Sequence, residues 1–166
     1  MTYNYLTLSF SGQWADLEPE YQDYYFQSSL VRFRFAILAA CFFYAVFGYL
    51  DVIMAPDHKH IFWFIRYGVI CPAAAVWMWF SFQPGFRKYH QQSLFLVCLL
   101  GGIGIEIMII LSGPPASYSY YAGIILIVIT VFTLVRMKFT WAAGCTSLIV
   151  ISYEIGALFF STTPRE

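Results

Sequence analysis

The chain alternates between long apolar stretches and short polar breaks, and five of the stretches approach or exceed the length of a membrane span. Crossing about 30 Å of hydrocarbon takes about 20 residues at about 1.5 Å rise per residue. The stretches are 31–55, containing FAILAACFFYAVFGYL; 61–82, containing WFIRYGVICPAAAVWMWF; and 93–113, 120–137 and 139–160. They predict an all-α fold, a polytopic transmembrane helix bundle of about five spans.

Within that pattern, Pro72 falls mid-span and removes one backbone hydrogen bond, predicting a kink in the second helix. Arg136 and Lys138 leave only a tight hairpin between the last two spans, which makes them antiparallel neighbours. Ahead of the first span, 16–29 predicts a helix. Asp16 is placed as its N-cap, Pro19 in its first turn, and Glu18 and Glu20 complement the helix dipole. Tyr21, Tyr24, Tyr25 and Phe26 give it an aromatic side, so it is expected to lie along the cytoplasmic interface before turning into the membrane. The organisation is therefore an N-terminal cytoplasmic or interfacial segment (1–30), a transmembrane domain (31–160) and an outer tail (161–166), with no internal repeat or linker.

Composition agrees with lipid as the solvent. Hydrophobic residues make up 60% of the chain and charged ones 11%, against roughly 45–50% and roughly 25% in soluble domains. Nine basic and nine acidic residues balance to zero, with no basic run for nucleic acid. Residues 1–12 carry no Lys or Arg and no apolar run, so no cleavable signal peptide is read there. With the N-terminus cytoplasmic, Arg32, Arg34, Arg87, Lys88, Arg136 and Lys138 fall inside, against Lys59, Arg66 and Arg165 towards the outside. The uncharged loop GPPASYS is then external, as the positive-inside rule requires. Phe62, Trp63 and Phe64, and Trp77, Trp79, Phe80 and Trp141 at the other side, read as aromatic belts.

No soluble-enzyme motif is present, neither GxSxG, phosphate loop nor HExxH, so no catalytic residue is assigned and the chain as it stands is not expected to be an enzyme. Cys41, Cys71, Cys98 and Cys145 lie far apart in apolar stretches and read as small core residues. His58, His60 and His90 read as solvated loop residues; neither a metal nor a cofactor is expected. The informative residues are the ionisable ones inside spans, because a charge at the bilayer centre costs about 2.5–3.5 kcal/mol or more. These are Asp51, Arg66, Glu106 and Glu154. Counted from the span ends at helical rise, all four lie in the outer third of the membrane, about 6–10 Å deep. With inward-facing side chains they would line one polar, ligand-binding pocket open to the outside. Alternatively Asp51 and Arg66 pair to pin the first hairpin while the glutamates are neutral or hydrogen-bonded across helices. No further acid or His continues a proton path to the inner side. Gly101, Gly102 and Gly104, with Ser152 and Gly156, allow close helix approach in this layer.

The pre-helix LEPEYQDYYFQSSLVRFRFAI, then FGYLD, FIRYGVICP, the loop FQPGFRKY and SYSYYAGIIL resemble the six-span membrane domain of bacterial class III adenylate/guanylate cyclases over most of residues 15–160. Quorum-sensing histidine kinase receptors have a comparable layout. The resemblance implies a homodimeric receptor and anchor module in a bacterial inner membrane, serving a cytoplasmic cyclase domain, with Asp51 and Arg66 at motif positions. That family has a sixth span, whereas STTPRE closes this sequence after the fifth, so a fragment is the expectation.

The functional expectation is a membrane sensor or anchor module. It would act as a homodimer or within a larger membrane complex, in contact with lipid and responsive to a small lipophilic ligand. The alternative is an accessory scaffold subunit of a respiratory or photosynthetic complex. A third reading, a transporter or proton channel, lacks inverted repeats and paired broken helices.

Overall fold

The computed structural model describes residues 16–112, 116–135 and 137–160. Readings made on residues 1–12, on Pro114 and Pro115, on Arg136 and on 161–166 lie outside these residues.

All regular structure in this range is helical. Its elements are α1 (Glu18–Met54), α2 (Lys59–Trp63), a π-helical stretch (Phe64–Ile70), α3 (Cys71–Phe80), α4 (Phe86–Ser112), α5 (Ala116–Thr133) and α6 (Phe139–Phe160). α2, the π stretch and α3 join into one rod, Lys59–Phe80, of 22 residues. Four helices, α1, this rod, α4 and α6, are long and apolar enough to cross a membrane. The protein is an all-α membrane protein. α5, at 18 residues, is the short member, so the expected fourth span, 120–137, is the one the fold leaves shortest.

α1 corrects one expectation. The helix foreseen at 16–29 does not turn at the interface; it runs on into the first span as a single helix of 37 residues, about 55 Å long. Nothing interrupts it because no proline follows Pro19 until Pro56. Its N-cap is Leu17 rather than Asp16, and no side chain caps it.

The proline-bearing rod solves its own backbone problem. Pro72 supplies no N–H, and its ring would press on the carbonyl four residues back in a regular α-helix. The turn before it widens instead, and the Cys71 N–H reaches back five residues to Arg66 O. This wide turn also sets side-chain direction. In an α-helix, residues spaced by four drift by about 40° per step; a π turn rotates them back. Phe62, Arg66, Ile70 and Ala74 consequently stay buried as one row.

α4 is the central helix, packed against α5, α6, the π stretch and α3, while α1 lies along the rod. Two close approaches set these seams. A Cβ at Gly48 would collide with the Tyr67 hydroxyl, and one at Gly102 would lie 2.8 Å from the Ile149 side chain. Small residues there let helices meet backbone to side chain.

The polarity of the bundle is inside-out relative to a soluble protein. On α1 the outward row is Val31, Phe35, Leu38, Phe42, Tyr49 and Ile53. The buried set of the same helix includes Ser29, Tyr44, Gly48 and Asp51. Apolar side chains face out because lipid, unlike water, exacts no penalty for them, and polar ones turn inward to find partners.

Candidate functional site

Arg66 sits inside the π turn and Asp51 one turn before the end of α1, so the α1–rod hairpin brings them face to face. Arg66 Nε donates to Asp51 Oδ2 at 2.7 Å and Nη2 to Oδ1 at 3.1 Å, a two-point pair. Both are buried, at 3% and 0% exposure. Tyr120 of α5 completes the cluster, its hydroxyl donating to Asp51 Oδ1 at 2.7 Å. The Arg66 guanidinium also lies 5.3 Å from the Tyr44 ring centroid, and the Tyr44 hydroxyl donates to Gly101 O on α4 at 2.7 Å. Four elements therefore converge on one neutral cluster. Around it, Trp63 Nε1 donates to Gly48 O at 2.8 Å and the Tyr67 hydroxyl to Ala45 O at 2.9 Å. The segments FGYLD and FIRYG are thus packing partners.

The four intramembrane ionisable residues do not form the single pocket expected of them. Asp51 and Arg66 pair with each other. Glu106 turns to a different helix, where Ser152 of α6 donates to its Oε1 at 2.8 Å. Glu154 is exposed on the outer surface of α6. The reason is angular: two residues apart on a helix is about 200° of rotation, so Ser152 and Glu154 occupy opposite faces.

A second polar clamp closes the other end of α1. Ser29 Oγ and His90 Nε2 are 3.1 Å apart and buried. The His90 ring stands edge-on to Phe26 and Phe86, and Arg87 pairs with Asp23 at the surface. The expectation of a solvated His90 is corrected: it lies in the first turns of α4 against α1. Arg34 is held nearby, donating from Nε to Ser81 Oγ at 3.1 Å and from Nη2 to Ser81 O at 2.8 Å.

The sequence reasoning missed Tyr120, Tyr44 and Ser29. Each is a polar residue on the inward row of an otherwise apolar helix, which is the signal that finds them. Cys145 is buried and the other cysteines half-buried, with Cys41 and Cys71 lining the same small cavity. Among the described residues, no group of three His, Cys, Asp or Glu side chains is placed to hold a metal.

An apolar cavity of about 60 Å³ lies between α1, the rod and α4, lined by Cys41, Tyr44, Cys71, Trp77 and Gly101 among others. It is several times smaller than the roughly 300–1,000 Å³ of small-molecule sites. Among the described residues no buried side-chain nitrogen or oxygen lacks a hydrogen-bond partner. The arrangement is therefore a closed latch: it fixes helices to each other and offers no free polar group.

No family model matches the chain, and no match is found among curated proteins or solved structures.

Proposed function

We propose that the chain is the sensing and anchoring membrane module of a signalling protein, with its N-terminus on the cytoplasmic side of a bacterial inner membrane. The observation that carries this reading is that one unbroken helix, α1, bears a polar clamp at each end. Asp51 is tied to Arg66 and Tyr120 at one end, and Ser29 and Asp23 are tied to His90 and Arg87 at the other. A stiff helix held at both ends carries displacement from one membrane face to the other. The signal enters by shifting the balance between a latched and an unlatched hairpin, since a stimulus acts only through its differential affinity for two states. A nucleotide cyclase is the output that the resemblance of FGYLD and FIRYGVICP to cyclase membrane domains would imply for such a module.

The test places spin labels at Tyr24 and Tyr89, both exposed. The background lacks the four native cysteines, and the protein sits in nanodiscs. Breaking the far latch with Arg66→Gln is expected to shift the distance between these labels by several ångströms. An unchanged distance in a folded Arg66→Gln protein overturns the reading.

The internal pairing of every buried polar side chain among the described residues favours a second reading, a rigid scaffold subunit that fills a seam in a larger membrane complex. Stoichiometric co-purification with other membrane subunits, together with a fixed label distance, would support it.

A further inference from the structure

Cys41 and Cys71 face each other across the seam between α1 and the rod, and the register of that hairpin shows why. The Tyr67 hydroxyl donates to Ala45 O at 2.9 Å. Cys41 lies one helical turn further from the hairpin loop than Ala45, and Cys71 one turn further than Tyr67. Both line the cavity of about 60 Å³ between α1, the rod and α4, and their thiols lie within electrostatic reach of each other. Helix α-carbons in this part of the fold are close: those of α1 and α3 come within 8 Å, with the small side chains of Ala40 and Ala74 also lining the cavity. A disulfide bridges α-carbons roughly 4.4–6.8 Å apart. The movement needed to close one here is small, and the cavity gives the two side chains room to make it.

Access separates this pair from the most buried cysteine. Cys145 is 0% exposed, and its Sγ donates to Phe95 O at 3.7 Å. Cys41 and Cys71 are half-buried, and their chain neighbours Ala40 and Pro72 are exposed on the outside of the bundle. That outside is lipid. A reagent dissolved in the hydrocarbon therefore reaches Cys41 and Cys71 and is kept from Cys145 by the packing of α4 and α6.

We propose that Cys41 and Cys71 are a dithiol that a lipid-soluble quinone oxidises to a disulfide between α1 and the rod. Two S–H bonds break and one Sγ–Sγ bond forms; the two electrons and two protons pass to the quinone, which leaves as the quinol. Dithiol, disulfide, quinone and quinol are all neutral, so the reaction leaves no ion in hydrocarbon, where a charge is costly. The quinone ring is far larger than the cavity and meets the thiols from the lipid side. The new bond would sit ten residues before Asp51 on α1, about 15 Å along the helix. A hairpin tied near its loop by Asp51 and Arg66 would then be bolted a second time, deeper in the membrane, with the chain between residues 41 and 71 closed into a ring. The inference is independent of the sensor reading, since the bond forms whether or not the hairpin carries a signal.

The test uses the full, reduced chain in nanodiscs, with decylubiquinone as the oxidant and diamide as a membrane-permeant reference. Decylubiquinone is expected to remove two of the four thiols titratable in denaturant, to yield one quinol per chain, and to give a peptide pair linked through Cys41 and Cys71 in non-reducing mass spectrometry. This readout needs no variant. Cys41→Ser and Cys71→Ser are each expected to abolish the link within the chain. Retention of all four thiols, or a link made through Cys98 or Cys145 instead, overturns the proposal. A Cys41–Cys71 link formed by diamide and not by decylubiquinone overturns it as stated, because the oxidant is then not a quinone. In the Arg66→Gln protein, oxidation is expected to slow backbone hydrogen exchange around Ala45 and Tyr67 roughly tenfold or more; equal exchange in the linked and reduced forms overturns the bond's role as a bolt.

Discussion

Arg66 Nε and Asp51 Oδ2 meet at 2.7 Å across the first hairpin, fifteen residues apart in sequence. Removing one partner strands the other's charge in a buried, lipid-surrounded site, which costs about 3–5 kcal/mol. Asp51→Asn and Arg66→Gln are each expected to lower stability by that order in a mixed-micelle unfolding titration. The double replacement Asp51→Leu with Arg66→Met should recover most of the loss, because an apolar pair of similar volume removes both desolvation penalties. A double variant as unstable as the sum of the singles contradicts this account.

Tyr120 holds the carboxylate from a third helix. Tyr120→Phe deletes one hydrogen bond to a charged acceptor and leaves the ring, which stands edge-on to Phe62 at 5.5 Å. A loss of about 1.5–3 kcal/mol is expected. The same replacement in the Asp51→Leu, Arg66→Met background should cost clearly less, since the acceptor is gone.

The Gly48 seam makes a steric prediction. Gly48→Val drives a side chain into Tyr67 and is expected to destabilise by about 1–3 kcal/mol. Combining it with Tyr67→Ala should cost less than the sum of the two single changes, because the colliding ring has been removed. Strict additivity would place the cause elsewhere.

The π turn is expected to matter for direction more than for helicity. Pro72→Ala restores the N–H and permits a regular α ladder through this stretch, which turns Arg66 away from Asp51. The coupling energy of Asp51→Asn with Arg66→Gln, measured by a double-mutant cycle, should therefore be smaller in the Pro72→Ala background. Equal coupling in both backgrounds would mean that the register is set by other contacts.

His90 is buried whereas His60 is exposed. Diethyl pyrocarbonate followed by mass spectrometry is expected to modify His60 readily and to spare His90 in the folded protein. Ser29→Ala should make His90 more reactive by loosening the α1–α4 contact.

Much of this fold is legible in the chain because span length and apolar continuity are local properties, readable without knowing any neighbour. The α6 limits, Phe139–Phe160, are those that the apolar pattern predicts. The pairing of Asp51 with Arg66 was legible as an alternative, since both fall near the same end of a hairpin. Three features were not. The continuity of α1 depends on the absence of a break, whereas its acidic, aromatic start reads as a separate surface helix. The separation of Glu106 from Asp51 and Arg66 depends on rotation about α4, which depth counting ignores. The burial of His90 depends on Phe26 and Ser29 of α1 arriving over α4, a contact between segments 61 residues apart.

The neutrality of the latch has an electrical consequence. A single charge carried across the membrane field exchanges about 2.3 kcal/mol per 100 mV. Asp51 and Arg66 carry opposite charges at nearly the same depth, so when the α1–rod hairpin moves as a unit the two contributions cancel. Membrane voltage therefore does almost no work on this hairpin. What can move it is a force that distinguishes its shape, such as lateral pressure, bilayer thickness or the packing of a neighbouring helix.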